Sequence, residues 1–376
     1  MNRTMRTILF ILQKEFIQIF RNRTMLPIIF VMPLIQLLVL VYAATLEMKK
    51  IDMYVVDMDL SPASRRLVSK FESAPFYNLN HGSFSVVLAE KELNKGSIDV
   101  IMYIPKGFER ELIREKKSAV QLIVNAINGT AAGLVNAYSN AVIADYNKNI
   151  VAEWINYSEM ALPMNINIKY SYWYNPEMNY KIFMLPGILV ILVTVVGMFL
   201  PALNLVREKE MGTIEQINVT PIHKYQFIIG KLIPFWLIAL FELSFGLFLG
   251  RILFDVPIQG SLLVLFGFAS VYLLVTLGIG LFISTISSTQ QQVMFIGFFF
   301  MLTFVLMSGI FTPVESMPNW AQKVNLINPF FYFMRVIRMI LLKGSGFLDV
   351  LNEFLSLFIY AIIILGLAIW RYRKTA

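Results

Sequence analysis

The sequence predicts a membrane α-helical fold with six transmembrane helices and an α/β domain inserted between the first and second of them. Three observations lead there. Of 376 residues, 57% are hydrophobic and only 15% charged, and the mean hydropathy is +0.65, a surface that no water-soluble domain of this size sustains. Six stretches are apolar over about the 20 residues that a helix needs to cross the hydrocarbon. Between the first two, over residues 47–180, the composition returns to that of a soluble domain long enough for one core.

At the N-terminus, Thr7 to Arg21 places Ile8, Leu12, Phe16, Ile19 and Phe20 on one helical face and Lys14, Gln18 and Arg21 opposite. Such a helix, within residues 1–24, is expected to lie in the cytoplasmic interface of the membrane, the alternative being a soluble surface helix packed on the same protein. The spans follow as Met25 to Leu46, Ile182 to Val206, Phe227 to Leu249, Ser261 to Ile286, Val293 to Phe311 and Phe354 to Trp370. The first has no small-residue cleavage site behind it and reads as a retained span, not a signal peptide.

The net charge of +8 is unevenly spread: Glu47 to Tyr180 holds 14 Lys and Arg against 15 Asp and Glu, leaving 18 against 9 beside the apolar segments. That excess is the mark of positive-inside topology and not of a phosphate-binding groove, so nucleic acid is not an expected partner. Arg3, Arg6, Lys14, Arg21 and Arg23, then Arg207, Lys209 and Lys224, then Arg371, Arg373 and Lys374 fall on one side if there are six spans. That side is the cytoplasm, with both termini inside.

Val324 to Leu342 is apolar enough to suggest a seventh crossing, which would bury Asn325, Asn328, Pro329, Arg335 and Arg338 and reverse the last basic cluster. It reads instead as an outer re-entrant or interfacial hairpin, within 312–345, after the turn-rich run Thr312 to Pro318. In the inserted region, Ile51 to Asp57 alternates as a strand, and Asp59 to Pro62 turns into a helix from Ala63 to Glu72. Val100 to Ile104 and Val120 to Val124 read as strands. Phe108 to Glu115 and Thr130 to Trp154 read as helices, giving an α/β domain.

Chemistry-bearing motifs are few. The chain has no cysteine and two distant histidines, His81 and His223, so neither a disulfide framework nor a metal site is expected. Its one Gly-Lys pair, Gly230-Lys231, lacks the upstream glycine and the following hydroxyl of a phosphate-binding loop. No zinc-protease helix or nucleophile elbow is present. Glu242, inside an apolar span, is an intramembrane polar candidate, either for proton coupling or as a structural carboxylate. The sequons at Asn128 and Asn156 receive no role, and Tyr170 to Tyr174 reads as an interfacial anchor.

The loop Val206-Arg207-Glu208-Lys209-Glu210-Met211-Gly212-Thr213-Ile214-Glu215-Gln216, followed by Thr220-Pro221, ends a span in mixed charge. A break at Gly212 and a short helix from Thr213 to Asn218 are expected there. By itself this is a solvated turn, or a rigid charged helix able to pass force from a cytoplasmic partner. The run resembles the glutamate-rich signature of the type-2 ABC exporter permeases. Lys14-Glu15-Phe16 through Arg23 resembles that family's elbow helix, Ser284 to Gln292 its inner turn, and Ser308 to Val314, Met317-Pro318, Asn328-Pro329 and Leu341 to Gly344 its outer re-entrant region. Ser64 to Arg66 and Ile104 to Arg110 are similar to the drug-export-like branch with a large extracytoplasmic domain.

This resemblance implies a permease subunit that moves an amphiphilic, drug-like or lipid-like substrate out of the cytoplasm or inner leaflet. It would be driven by separate ATPase subunits docking on the coupling loop within 207–226 through Arg207, Glu208, Glu210, Gly212, Thr213, Glu215, Gln216 and Pro221. It implies ATP and Mg on that partner and no cofactor here, a second permease copy or sister, a periplasmic adaptor, and a multi-pass place in a bacterial inner membrane. Gly309, Pro313, Pro318, Asn328, Pro329 and Arg335 would then form an outer gate. The competing expectation is a membrane-anchored receptor or scaffold with an external sensory domain and no transport.

Overall fold

The computed structural model describes residues 3–23, 25–43, 50–81, 84–127, 129–154, 173–175, 179–218, 220 and 222–372. It contains two compact units: Leu46–Tyr170, and the flanking segments Met1–Thr45 with Ser171–Ala376. The flanking unit begins with α1 (Arg3–Arg21) and α2 (Met25–Ala43). The apolar face expected on α1 is divided: Ile19 is fully buried, whereas Phe20 is 52% exposed together with Met5, Leu9 and Ile17. The inward face also carries Glu15, at 0% exposure, because ion partners are waiting there.

The inserted unit runs β1 (Ile51–Asp57), α3 (Pro62–Glu72), β2 (Tyr77–His81), α4 (Val86–Lys95), β3 (Val100–Ile104), α5 (Phe108–Glu115), β4 (Gln121–Val124) and α6 (Gly129–Trp154). The sheet order is β2-β1-β3-β4, parallel except for β4 against β3, with Met53 opposite Val100. Ile51, Met53 and Val55 face a core shared with Leu67, Phe71 and Phe108; Val56 and Ile101 face the other side with Ala89 and Ile98. The sequence reading omitted β2 and α4. Tyr77-Asn-Leu-Asn-His has two asparagines, poor strand formers, and only its pairing to β1 makes it a strand.

The turn after β1 is fixed by its aspartates. Asp57 accepts from the N–H groups of Asp59 (2.9 Å) and Leu60 (3.0 Å) and from the Ser64 hydroxyl (2.6 Å). Asp59 accepts from the N–H groups of Gly107 (2.7 Å) and Glu109 (3.0 Å) at the start of α5. This closed network forces Leu60 to φ +54°, a left-handed conformation that costs an L-residue about 1–2 kcal/mol. Leu60→Gly relieves it, less about 0.5–1 kcal/mol for glycine's unfolded-state freedom. A net gain of about 0.5 kcal/mol is expected, read as slower native-state hydrogen exchange in β1 and β3.

The flanking unit resumes with α7 (Tyr180–Thr194), a π-helical turn (Val195–Phe199) and α8 (Leu200–Glu210), which together make one long helix. Then come α9 (Thr213–Asn218), α10 (Lys224–Phe254), α11 (Leu262–Ile286), α12 (Gln290–Met307), α13 (Asn319–Asn325), α14 (Pro329–Lys343) and α15 (Leu351–Arg371). Among the described residues five helices are long and apolar enough to cross a membrane: Tyr180–Glu210, Lys224–Phe254, Leu262–Ile286, Gln290–Met307 and Leu348–Arg371. α13 and α14 qualify only as a pair, bent by 84°, and the apolar part of α2 is shorter.

Contacts fix which ends lie together. Lys224 at the start of α10 donates to the Tyr372 carbonyl after α15 (3.0 Å). At the opposite end, the N–H groups of Gln259 and Gly260 donate to the carbonyls of Leu341 and Ile340 in α14 (3.1 and 3.0 Å), and Phe268 of α11 packs on Phe354 of α15. The α13–α14 pair therefore starts and finishes at the end where α12 arrives and α15 begins. Phe330 at its bend meets Tyr272, ten residues into α11, a depth of about 15 Å at 1.5 Å per residue. Helix approach in this unit depends on glycines: a Cβ on Gly280 would lie 2.3 Å from the Met198 carbonyl oxygen, and one on Gly197 2.6 Å from Thr276 Oγ1.

Candidate functional site

The charged end of α8 is bonded on three sides. Gly212 adopts φ +71°, the left-handed position that commonly ends a helix, and the N–H groups of Met211 and Gly212 close on the carbonyls of Arg207 and Lys209, each at 3.0 Å. Thr213 Oγ1 donates to the Glu208 carbonyl (3.2 Å), so α9 is pinned where it leaves α8. Lys209 Nζ donates to the carbonyls of Ser284 and Ser287 at the C-terminal end of α11, where a cation complements the helix dipole. Glu210 accepts from the backbone N–H of Gln290 (2.8 Å) and from its side-chain amide, and so holds the first turn of α12.

The third side is a buried charge cluster. Glu208, 2% exposed, receives Lys231 Nζ of α10 at 2.7 Å and Lys14 Nζ of α1 at 2.8 Å. Glu15, 0% exposed, receives the same two ammonium groups, each at 3.0 Å. Lys231 also donates to Asn204 Oδ1 of α8 (2.7 Å). Two carboxylates and two ammoniums thus balance, with Glu15, Glu208 and Lys231 enclosed and the Lys14 side chain 48% exposed at the edge of the cluster, the pairing under which buried charges are tolerated. Burial acts to lower the Lys14 pKa, but the hydrogen bond and charge of Glu208, with Glu15, outweigh it and hold that ammonium above its ordinary value.

These contacts redistribute the residues singled out in the sequence. Arg207 and Gln216 are exposed and free to meet another polypeptide. Glu208 is enclosed, and Glu210 faces α12; both serve as internal ties. The Glu215 side chain and Pro221 lie outside the described residues. At the opposite end, Gly309 turns at φ +85°, Pro313 opens the Val314–Ser316 turn and Pro318 precedes α13. Asn328 caps α14 by accepting from Phe330 N–H (3.0 Å), while its own amide donates to the Phe304 carbonyl (2.9 Å). Pro329 occupies the first helical position, and Arg335 pairs with Glu353 at 3.4 Å.

Glu242 is 6% exposed, and neither carboxylate oxygen has a hydrogen-bond partner. One turn further along α10, Gly246 abuts Leu189 of α7 and Leu37 of α2, so the carboxyl is turned into the bundle and away from lipid. Among the described residues no group of three or more His, Asp or Glu side chains converges to hold a metal. The sequence reading missed Glu15, Asn204, Lys209 and Lys231 as site residues. The available signal was the lone cation Lys231 inside an apolar run, which demands a buried counter-charge.

Comparison with known proteins places this geometry in context. A family model described as "ABC-2 family transporter protein" matches residues 23–370. The chain is 30% identical over 342 residues to the probable multidrug ABC transporter permease YbhR of Escherichia coli, covering 89% of this chain and 90% of that one. It is 27% identical over 358 residues to the probable multidrug ABC transporter permease YbhS of the same organism, 94% and 93% of the two chains. It is also 28% identical over 325 residues to the inner membrane transport permease YhhJ, 85% and 84%.

Proposed function

We propose, since the chain belongs to the ABC-2 family of transporter proteins, that the α8–α9 segment is the element through which a separate ATPase drives its membrane helices. The chain is a permease subunit of an ABC exporter. The observation that carries the coupling role is the three-sided bonding of α8: Glu208 to α1 and α10, Lys209 to α11, Glu210 to α12. A push on α9 is thereby delivered to four helices at once. Arg207, Met211 and Gln216, all exposed, form the face offered to the ATPase, which holds ATP and Mg.

In this reading α2 is the first of six spans, and α13–α14 is an outer re-entrant hairpin. The inserted unit is extracytoplasmic, where an adaptor protein could engage it. Basic residues Lys14, Lys209 and Lys224 gather at the α8–α9 end, which supports a cytoplasmic placement of that end and of both termini. The exposed stripe Met5, Leu9 and Phe20 lets α1 lie in the inner interface as an elbow. A second copy or a sister permease completes the pathway for an amphiphilic substrate, drug-like or lipid-like. Glu242 is retained as an inward-facing polar candidate with no assigned step.

Gly212→Pro tests the coupling element. Proline is confined to φ near −65° and cannot reach +71°, so α9 must leave its position. The gently solubilised wild-type chain is expected to co-purify with an ATPase subunit, and the variant is expected to lose both that capture and ATP-driven export. Unchanged export in the variant, with no ATPase captured by either protein, would sink the reading.

A further inference from the structure

The geometry points to a second site, at the end of the bundle away from α8–α9: the guanidinium of Arg338 takes the phosphate or carboxylate headgroup of an anionic amphiphile. Arg338 lies on α14 two and three residues before the carbonyls of Ile340 and Leu341, which bond Gly260 and Gln259. Its Cζ sits 3.8 Å from the centroid of the Phe183 ring on α7, and Nη1 donates to the Gly309 carbonyl (3.1 Å). The guanidinium is therefore held in plane and in position before any ligand arrives. Nε and Nη2 are buried and make no hydrogen bond.

Those two nitrogens form the side-on edge of the guanidinium, whose N–H groups point the same way and match two oxygens of a carboxylate or phosphate. Leaving them without a partner in a water-poor place is costly, whereas the neighbouring Arg335 is 56% exposed and also pairs with Glu353 at 3.4 Å. An arriving anion would satisfy both groups at once. The surroundings add an apolar component: Phe183 itself, and Met334 and Ile310, which meet at Gly187. Tyr180, its ring 5.8 Å from Phe183, is close enough to interact electrostatically with Arg338. A charged head with an apolar tail suits this lining better than a free ion.

Such an amphiphile has two sources, a phospholipid of the bilayer or the exported molecule. The full-length chain in neutral detergent is titrated with short-chain phosphatidic acid and, separately, with the matching diacylglycerol. One phosphatidic acid per chain and no diacylglycerol are expected. Arg338→Lys, which keeps the charge and loses the fork, should bind about ten- to hundredfold more weakly, and Arg338→Met not at all. Phospholipid retained by the wild-type chain from cells but lost from Arg338→Met identifies the bilayer as the source; none retained by either, with binding intact, identifies the exported molecule. Equal binding of both probes, or unchanged affinity in Arg338→Lys, overturns the proposal, and the lysine variant decides alone if the methionine variant does not fold. The location at the outer end rests on the transport reading, so ATPase capture is measured on the same preparations. Its persistence in Arg338→Lys separates failure of this site from failure of coupling.

Discussion

Lys231→Met is expected to destabilise the full-length chain by about 3 kcal/mol. Lys231 is 4% exposed and its ammonium touches Glu15, Glu208 and Asn204, so its removal leaves two buried carboxylates sharing Lys14. The loss falls at the lower end of the range for breaking a buried pair because Lys14 still reaches both, at 3.0 and 2.8 Å. Pairing the change with Glu208→Gln removes the excess negative charge. The double variant is therefore expected to lose about 1–3 kcal/mol less than the sum of the single ones. Thermal unfolding of the wild type and the three variants in one detergent measures this coupling. Strict additivity would show that the cluster does not act as a unit. With folding partly recovered, the double variant should still export poorly, because the link from α8 to α10 is gone.

Gly280→Ala is expected to cost about 3 kcal/mol or more, beyond the usual range for one added methyl. The methyl would lie 2.3 Å from the Met198 carbonyl oxygen and 3.2 Å from Met198 Cα, and backbone, unlike a side-chain tip, cannot swing aside. α11 would have to move away from the π-helical turn, opening the packing around Tyr272, whose hydroxyl bonds Thr194. Gly267→Ala on the same helix is the control. Nothing lies within 4 Å of a Cβ there, and helix propensity alone predicts a gain of up to about 1 kcal/mol. Thermal midpoints that fall equally for both would show that helix contact at Gly280 is looser than described.

Much of the fold was legible because its signals are local. Apolar runs marked the long helices of the flanking unit, alternation marked β1, and a short apolar run ending at Pro105 marked β3. The Gly212 break and the short helix after it followed from a glycine and a polar cap. The polar groups that argued against a straight crossing are only partly exposed: Asn325 and Asn328 are buried, and their segment forms two helices bent by 84°. The interior of the candidate site was not legible in the same way. Glu208 reads in the sequence as a surface charge beside Arg207, yet it is enclosed, because its partner Lys14 lies 194 residues away. Neither α4 nor β2 carried a pattern strong enough to read before its neighbours were in place.

Hydropathy, period and flanking charge are properties of contiguous residues, and they were enough to indicate a membrane protein with a compact α/β unit between its helical segments and a charged loop after its long second helix. Which charges of that loop are exposed and which hold it, where α7–α8 takes its π turn, how closely α11 approaches it, and that two nitrogens of Arg338 are buried without a hydrogen bond were decided only by the tertiary structure. Each depends on groups that the chain brings together from distant segments, and the energy of a buried charge or a helix contact does not exist until both sides are present.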